Sequence, residues 1–187
     1  MALRTFSSKV TNSRHAVKQA HERFQVGLLL HELNNRHRSR FAVVAEPEPP
    51  EAIIQSNKTI RWVEVVTAYL NAGFARDLNS YAAAGETHRS SAGNLLVEPD
   101  LQFAQNFLAA VKSKLEKTSY IPFRNRYGPG YLVVSIQNPL FDFSAMLAVT
   151  KLWTATKIDD QNCFRSIYLT YSCDGEYRVR KWLPPSG

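Results

Sequence analysis

Two glutamates in apolar, strand-like segments are the residues of this sequence most suited to bind a cation. Glu51 stands in segment 50–54, Pro-Glu-Ala-Ile-Ile, and Glu64 stands in the Ile-, Trp- and Val-rich segment 60–67. Side chains alternate along a strand, so Glu64 shares a face with Trp62. An acid in such surroundings is costly to bury unless it is paired or binds a cation. The pattern therefore predicts carboxylates that need a positive partner.

The two acidic segments are predicted to be neighbouring antiparallel strands. Both are rich in Ile, Val and Trp, which favour strands. The residues between them, 55–59, read Gln-Ser-Asn-Lys-Thr, a polar turn of the kind that joins a hairpin. We therefore expect Glu51 and Glu64 to lie on adjacent strands of one sheet.

This arrangement resembles the PD-(D/E)xK nuclease superfamily, which has the restriction-endonuclease-like fold. In that family an acid after a proline opens one strand, and a (D/E)xK triplet lies on the next. The two acids hold a divalent metal, and the lysine helps to activate water or stabilises the transition state. Here Pro50-Glu51 would correspond to the first element and Glu64-Val65-Val66 to the second. The resemblance implies Mg²⁺ or Mn²⁺ bound by Glu51 and Glu64, with the backbone carbonyl of Val65 as a further ligand.

Two positions depart from the motif of that superfamily. Glu51 stands in place of Asp, which moves the carboxylate outward by one methylene. Val66 stands in place of the lysine, and its side chain can neither polarise water nor neutralise charge. Either a lysine from elsewhere in the chain substitutes for it, or the site is inactive.

Lys114 is the expected substitute for the missing lysine. It follows Phe107 and Ala110 at helical spacing in a predicted helix that starts at 98–100, so it belongs at the edge of the buried side. The sequence also resembles divergent bacterial members of the superfamily that keep the acids and lose the strand lysine. In these the later Lys-x-x-Lys, here Lys114 and Lys117, lies on a helix before an apolar strand. The alternative for Lys114 is an ordinary surface lysine.

Glu22 is the candidate acid from the first predicted helix, which spans 13–34. Apolar residues at helical spacing form the buried stripe of this helix, and Glu22 borders that stripe. The resemblance implies that the first helix supplies an acid to the site. The alternatives are a solvated charge or an ion pair of Glu22 with Lys18 or Arg23. Glu32 is a rival candidate with no better claim.

The chain is basic, with 23 Lys and Arg against 16 Asp and Glu and a formal net charge of +7. This charge fits a polyanionic partner such as nucleic acid, and solubility alone is the competing explanation. Two arginine-rich segments are predicted to be loops that contact phosphates and bases. Exposed, solvated loops are the alternative. The candidate nucleic-acid-binding residues are Arg36, Arg38, Arg40, Arg124 and Arg126.

The predicted elements run in the order helix, three strands, two helices, strand, helix and two-strand hairpin. This order indicates an α/β (α+β) protein with a central mixed sheet flanked by helices and a C-terminal β-hairpin. A helix, a three-strand meander, a helix and a crossing strand also form the restriction-endonuclease-like core, which the resemblance implies for about 13–136. We expect a single domain over 1–187, with a loose N-terminal segment at 1–12 and a flexible loop at 85–97.

The resemblance implies metal-dependent hydrolysis of nucleic-acid phosphodiesters by an Mg²⁺-dependent endonuclease, weak or inactive if no lysine replaces Val66. The expected substrate is DNA before RNA, the expected location is the cytoplasm, and a homodimer is left open. Three alternatives remain: a non-catalytic nucleic-acid-binding protein on the same fold, a protein-interaction protein, and an unrelated α+β domain. No Ser-His-Asp, phosphate-loop or dinucleotide motif supports another enzyme class. No segment approaches the roughly 20 apolar residues that cross a membrane.

Overall fold

A six-stranded mixed sheet with helices on both faces makes up the described part of the chain. The computed structural model describes residues 3–37, 39–71, 73–75 and 98–182, and the side chains of the first helix from 15 to 36. No helix in these ranges is long and apolar enough to span a bilayer. The elements are α1 (Leu3–His37), β1 (Ala42–Ala45), β2 (Ala52–Ser56), β3 (Thr59–Tyr69), α2 (Pro99–Leu115), a 3₁₀ turn (Thr118–Tyr120), α3 (Ile121–Tyr127), β4 (Gly130–Gln137), α4 (Phe143–Ala155), β5 (Phe164–Cys173) and β6 (Glu176–Trp182).

The strands follow one another across the sheet in chain order, from β1 to β6. The first three form an antiparallel meander. Strands β3, β4 and β5 are parallel, because α2 and α4 supply the crossover connections between them. Strand β6 returns antiparallel to β5. The predicted α/β class, with a mixed sheet between helices and a C-terminal hairpin, is confirmed.

Each face of the sheet has its own hydrophobic core. On one face α1 packs Val26, Leu29 and Leu33 against the sheet, and we name this cluster the α1 core. On the other face α2 and α4 pack against β3, β4 and β5, with Phe103 and Phe107 of α2 fully buried. Strand β4 lies between both cores and is buried along nearly its whole length. Its continuous apolar run predicted this central position.

Two tight turns set the register of the hairpins. Between β2 and β3 the turn contains Asn57, whose φ is 52°. Between β5 and β6 it consists of Asp174 and Gly175, with φ of 54° and 78°. Asn, Asp and Gly tolerate this left-handed region, which two-residue hairpin turns require. The predicted hairpins at both places are confirmed.

Three predictions of local structure differ from the structure. The first helix begins at Leu3, so the segment 1–12 is helical from Leu3 onward and not loose. No Gly or Pro interrupts it there. The predicted arginine-containing loop at 120–130 is largely the short helix α3, which has Pro122 in its first turn. The first of the two helices predicted after the third strand, at 69–84, begins too early, since Tyr69 ends β3; positions 72 and 76–84 of this range lie outside the described residues. The predicted loop at 85–97 lies outside the described residues.

The packing of β4 against β3 predicts opposite effects for two glycine-to-alanine substitutions. A Cβ on Gly130 would lie 2.5 Å from the Trp62 ring and 2.8 Å from the Trp62 carbonyl oxygen, whereas a Cβ on Gly27 would meet nothing within 4 Å. We expect Gly130→Ala to lower the free energy of unfolding by about 3 kcal/mol through overpacking. Gly27→Ala should raise it by about 1 kcal/mol, because alanine is the better helix former.

Urea unfolding monitored by far-UV circular dichroism measures both effects. A Gly130→Ala variant as stable as the wild type would contradict this packing of Trp62 against the start of β4.

Candidate active site

Glu64 lies at the centre of the candidate active site, on β3. Its neighbours Val63 and Val65 point into the α1 core. The alternation of side chains along a strand therefore sends Glu64 to the face that α2 covers. Only 1% of its surface is exposed. A carboxylate so deeply buried needs partners within the fold.

Two donors meet on one oxygen of the Glu64 carboxylate. The Lys114 ammonium lies 2.6 Å from Oε1, and the Tyr120 hydroxyl donates to the same oxygen at 2.7 Å. These short distances are typical of charge-assisted hydrogen bonds. The second oxygen, Oε2, is buried and has no hydrogen-bond partner among the residues that the structure describes. One oxygen thus accepts two hydrogen bonds, and the other has no donor among the described residues.

Lys114 reaches Glu64 from the edge of the buried side of α2. Phe107, Val111 and Leu115 of this helix are buried in the core, and Lys114 lies next to them on the helix surface. Its side chain retains 21% exposure, because the methylenes are covered while the ammonium reaches the carboxylate. The contact joins two residues that sequence analysis proposed for a single site.

Tyr120 lies in the 3₁₀ turn that follows α2, and it is fully buried. Its ring centroid lies 5.5 Å from the ring centroids of both Trp62 and Phe164. Burial raises the pKa of the Tyr120 hydroxyl, and the negative charge of Glu64 raises it further. The hydroxyl therefore keeps its proton and acts as a donor. Sequence analysis missed Tyr120, since no spacing pattern links it to Glu64.

Glu51 lies directly before β2 and next to Glu64. The β2–β3 ladder ends at the pair of Ala52 with Val63, so Glu51 and Glu64 are the next residues along the two segments. The Glu51 side chain is half-buried. Burial raises the pKa of its carboxyl to about 7, and the negative charges of Glu22 and Glu64 act in the same direction. Glu51 is therefore close enough to both Glu22 and Glu64 for their charges to act on it.

Glu22 is nearly buried on α1 and forms an ion pair with Lys18. It is 9% exposed, and the Lys18 ammonium lies 3.3 Å from its Oε1. An ion pair with Lys18 is one of the alternatives that the sequence leaves open for Glu22. The negative charge of Glu22 also acts on the carboxyl of Glu51. Glu32, the rival acid, pairs with Arg36 at 2.9 Å. It lies about 15 Å from Glu22 along the helix, at 1.5 Å per residue.

The proline-rich segment before Glu51 is attached to α1 by two ion pairs. Lys18 lies 2.9 Å from Glu48, and Arg23 lies 2.8 Å from Glu46. The hydrogen bond with Glu48 raises the pKa of Lys18. A small pocket of about 80 Å³ lies between α1 and this segment, and Glu51 contributes to its lining. Glu46 and Glu48 therefore act as partners of basic side chains on α1.

The acids of the site do not form a three-ligand metal cluster. Within the described ranges, no group of three His, Cys, Asp or Glu side chains is placed to hold one ion. Glu51, directly before β2, and Glu64, on β3, remain as a pair of carboxylates. Arg61 does not pair with either of them in the structure, because it donates to the backbone carbonyls of Ile60 and Tyr127.

The predicted nucleic-acid-binding arginines divide into two groups. Arg124 and Arg126 lie on α3, directly after Tyr120, on the same side of the sheet as Glu64; Arg124 donates to the Gln161 carbonyl at 3.3 Å. The other group lies at the C-terminal end of α1 and beyond it; Arg36 is in the last turn of the helix and not in a loop as predicted, because α1 continues to His37. Arg36 lies about 21 Å from Glu22 along the helix at 1.5 Å per residue, Arg40 is exposed beyond it, and Arg38 lies outside the described residues.

No protein-family model, curated protein or solved structure matches this chain. What the site can do must therefore be argued from its own residues. These are a pair of strand carboxylates, a lysine and a tyrosine on one carboxylate oxygen, and basic residues on the adjoining helix.

The raised pKa of Glu51 predicts a pH-dependent gain in stability on replacement by glutamine. In the unfolded chain this carboxyl loses its proton near its ordinary pKa of 4.5, and in the folded protein near 7. The folded state therefore binds more protons between these values, and the contribution of Glu51 to stability falls as the pH rises through this window. Glu51→Gln removes that loss, so the variant should be more stable than the wild type at pH 8 and nearly equal to it at pH 4.5.

Urea unfolding in EDTA at both pH values measures this difference. Asp159→Asn, on an exposed loop, is the matched control and should show no such pH dependence. A stability difference between Glu51→Gln and the wild type that is the same at both pH values would show that Glu51 is ionised normally in the folded protein.

Proposed function

We propose that this protein is a metal-dependent phosphodiesterase that acts on nucleic acid. The observation that carries the proposal is the contact of Lys114 with Glu64 at 2.6 Å, beside Glu51. It supplies, from α2, the positive charge that Val66 cannot supply from the strand. Two carboxylates and one lysine are the side chains that the resemblance to the PD-(D/E)xK superfamily implies for such chemistry.

The two carboxylates suit a hard divalent cation such as Mg²⁺ or Mn²⁺. Mg²⁺ is usually bound through one or two carboxylates, with water and substrate phosphate completing its coordination, so a third acidic ligand is not required. Glu64 offers a buried oxygen, Oε2, without a hydrogen-bond partner among the described residues. Burial raises the pKa of Glu51, the negative charges of Glu22 and Glu64 raise it further, and a bound cation would act in the opposite direction. These observations support a fit between the residues and the ion.

When bound, the ion would polarise a phosphoryl oxygen and lower the pKa of a bound water. The protein residues have separate tasks. Glu51 and Glu64 hold the negative charge that attracts the cation. Lys114 places an ammonium where negative charge develops on the phosphate, which is the kind of electrostatic stabilisation that contributes most in enzymes.

The substrate class is supported by the charge and by its position. The net charge of +7 favours a polyanion. Arg124 and Arg126 extend from the turn that contains Tyr120, so basic groups lie next to the acidic pair. Arginines of this kind contact phosphates and position a nucleic acid. We propose DNA before RNA as the substrate.

The fold agrees with the proposal without establishing the family. A helix, a three-strand meander, a helix and a parallel strand occur here as α1, β1 to β3, α2 and β4. This is the order of the restriction-endonuclease-like core, and we propose that core for this chain. A homodimer and a cytoplasmic location stay predictions.

A non-catalytic nucleic-acid-binding protein is the second candidate. The observation that favours it is the same ion pair, because Lys114 and Glu64 already neutralise each other without a metal. Under this alternative the protein binds DNA in a salt-sensitive manner and cleaves none in the presence of Mg²⁺ or Mn²⁺.

Replacing Glu64 by glutamine tests the proposed function. The amide side chain keeps an oxygen that accepts from Lys114 and Tyr120, so Glu64→Gln should fold, while it removes the charge that binds the cation. We expect Mn²⁺-dependent nicking of supercoiled plasmid to fall more than a hundredfold, a loss of about 2.7 kcal/mol of transition-state stabilisation. Glu176→Gln, at the exposed hairpin of β5 and β6, should cleave at the wild-type rate. Wild-type nicking by Glu64→Gln would refute the assignment.

Replacing Lys114 by methionine tests the lysine substitution, and Lys112 of the same helix is the matched control. Lys112 pairs with Glu116 at 3.6 Å and does not contact Glu64. Lys114→Met should lower the cleavage rate at saturating Mn²⁺ about a hundredfold, as for the loss of one electrostatic stabiliser of the transition state. Lys112→Met should stay within about twofold of the wild type, since exposed ion pairs contribute little. Equal rates for the two variants would show that Lys114 plays no special part.

A further inference from the structure

We propose that Tyr120 is a positioning residue of this site, which orients the Glu64 carboxylate so that Oε2 faces the cation. The inference rests on the proposed function, since it concerns the same two carboxylates. It adds a residue with no place in the proline-acid and (D/E)xK motif. It also assigns the buried hydroxyl a purpose in addition to its hydrogen bond to a buried carboxylate.

The geometry that carries the inference is the meeting of two donors on one oxygen. The Tyr120 hydroxyl and the Lys114 ammonium both contact Oε1 of Glu64, at 2.7 and 2.6 Å. No described residue donates to Oε2, although that atom is buried. Two donors on one side of a carboxylate fix its rotation, and the free oxygen then points away from them. The asymmetry leaves Oε2 without the donor that a bidentate pair would have supplied.

Tyr120 is better suited than Lys114 to hold this orientation. Its ring is fully buried between Trp62 and Phe164, so few rotamers are open to it. The Lys117 ammonium lies 5.1 Å from the centre of the ring and covers it from the outside. The Lys114 side chain is long and flexible and remains partly exposed. A rigid aromatic donor therefore sets the direction of the carboxylate, and Lys114 contributes charge.

If Tyr120 orients a metal ligand, removal of its hydroxyl should lower the affinity of the protein for the metal. Outer partners of metal ligands commonly change metal affinity about 10- to 100-fold when they are removed. A tyrosine that only fills the core would lose some stability on conversion to phenylalanine and would leave metal affinity unchanged.

The test is Mn²⁺ binding to Tyr120→Phe, followed by the electron paramagnetic resonance signal of free Mn²⁺. Phenylalanine keeps the ring packing and removes only the hydroxyl. We expect the Kd for Mn²⁺ to rise about tenfold. Tyr168→Phe is the matched control, because Tyr168 is a buried tyrosine that packs in the α1 core on the opposite face of the sheet. Its Kd should equal that of the wild type. An unchanged Kd for Tyr120→Phe would overturn the inference.

A second measurement separates this inference from the proposed function. If the wild type binds no Mn²⁺, the proposed function fails, and the contact of Tyr120 with Glu64 is then tested by a double-mutant cycle in urea unfolding. Tyr120→Phe and Glu64→Gln should be non-additive, because the charge-assisted bond exists only when both groups are present. Additive effects would overturn the positioning role whatever the metal result.

Discussion

A carboxylate that is buried in a protein needs positive charge or hydrogen-bond donors around it, because desolvation of an ion costs several kcal/mol. Glu64 meets this condition with Lys114 and Tyr120, which both contact its Oε1. Loss of one partner from a buried pair typically destabilises a protein by about 3–5 kcal/mol. The arrangement of β3, α2 and the turn after α2 is therefore coupled to this one carboxylate. Neither contact involves Oε2, which has no hydrogen-bond partner among the described residues. The two contacts therefore determine which oxygen of Glu64 is left without a donor.

The sheet brings these groups together from distant parts of the chain. The antiparallel pairing of β2 with β3 brings Glu51, directly before β2, close to Glu64. The parallel pairing of β3 with β4 requires a crossover, and α2 within that crossover carries Lys114 over the same face. On the other face, α1 holds Glu22 and, through Lys18 and Arg23, the proline-rich segment that leads to Glu51. Acids that repel one another are thus kept close by the backbone.

Much of this could be predicted from periodicity and from turn chemistry. The Asp174-Gly175 turn, the apolar run of β4 and the helical spacing of Lys114 are local signals, and the structure agrees with each. The start of α1 and the helical state of α3 could not be predicted in this way, because short polar or aromatic segments without a clear period resemble loops. Helix α3 depends on tertiary packing, since Phe123 and Tyr127 lie against Trp62.

The site is only partly accessible from the sequence. The acidic pair could be predicted from the hairpin and from the alternation of side chains along a strand, because both are local patterns. Tyr120 follows from a contact between residues 56 positions apart, and no local pattern encodes such a contact. Arg36 lies away from the acidic pair, and its predicted contact with nucleic acid stays a prediction. In the structure it pairs with Glu32 far along α1.

The most direct test of the account is to locate Mn²⁺ by anomalous diffraction in crystals of the wild-type protein grown with the ion. The account predicts one strong peak between Glu51 and Glu64, at a coordination distance of about 2.1 Å from Oε2 of Glu64, with Lys114 and Tyr120 still on Oε1. An empty site at saturating Mn²⁺, or a peak elsewhere on the molecule, would contradict it.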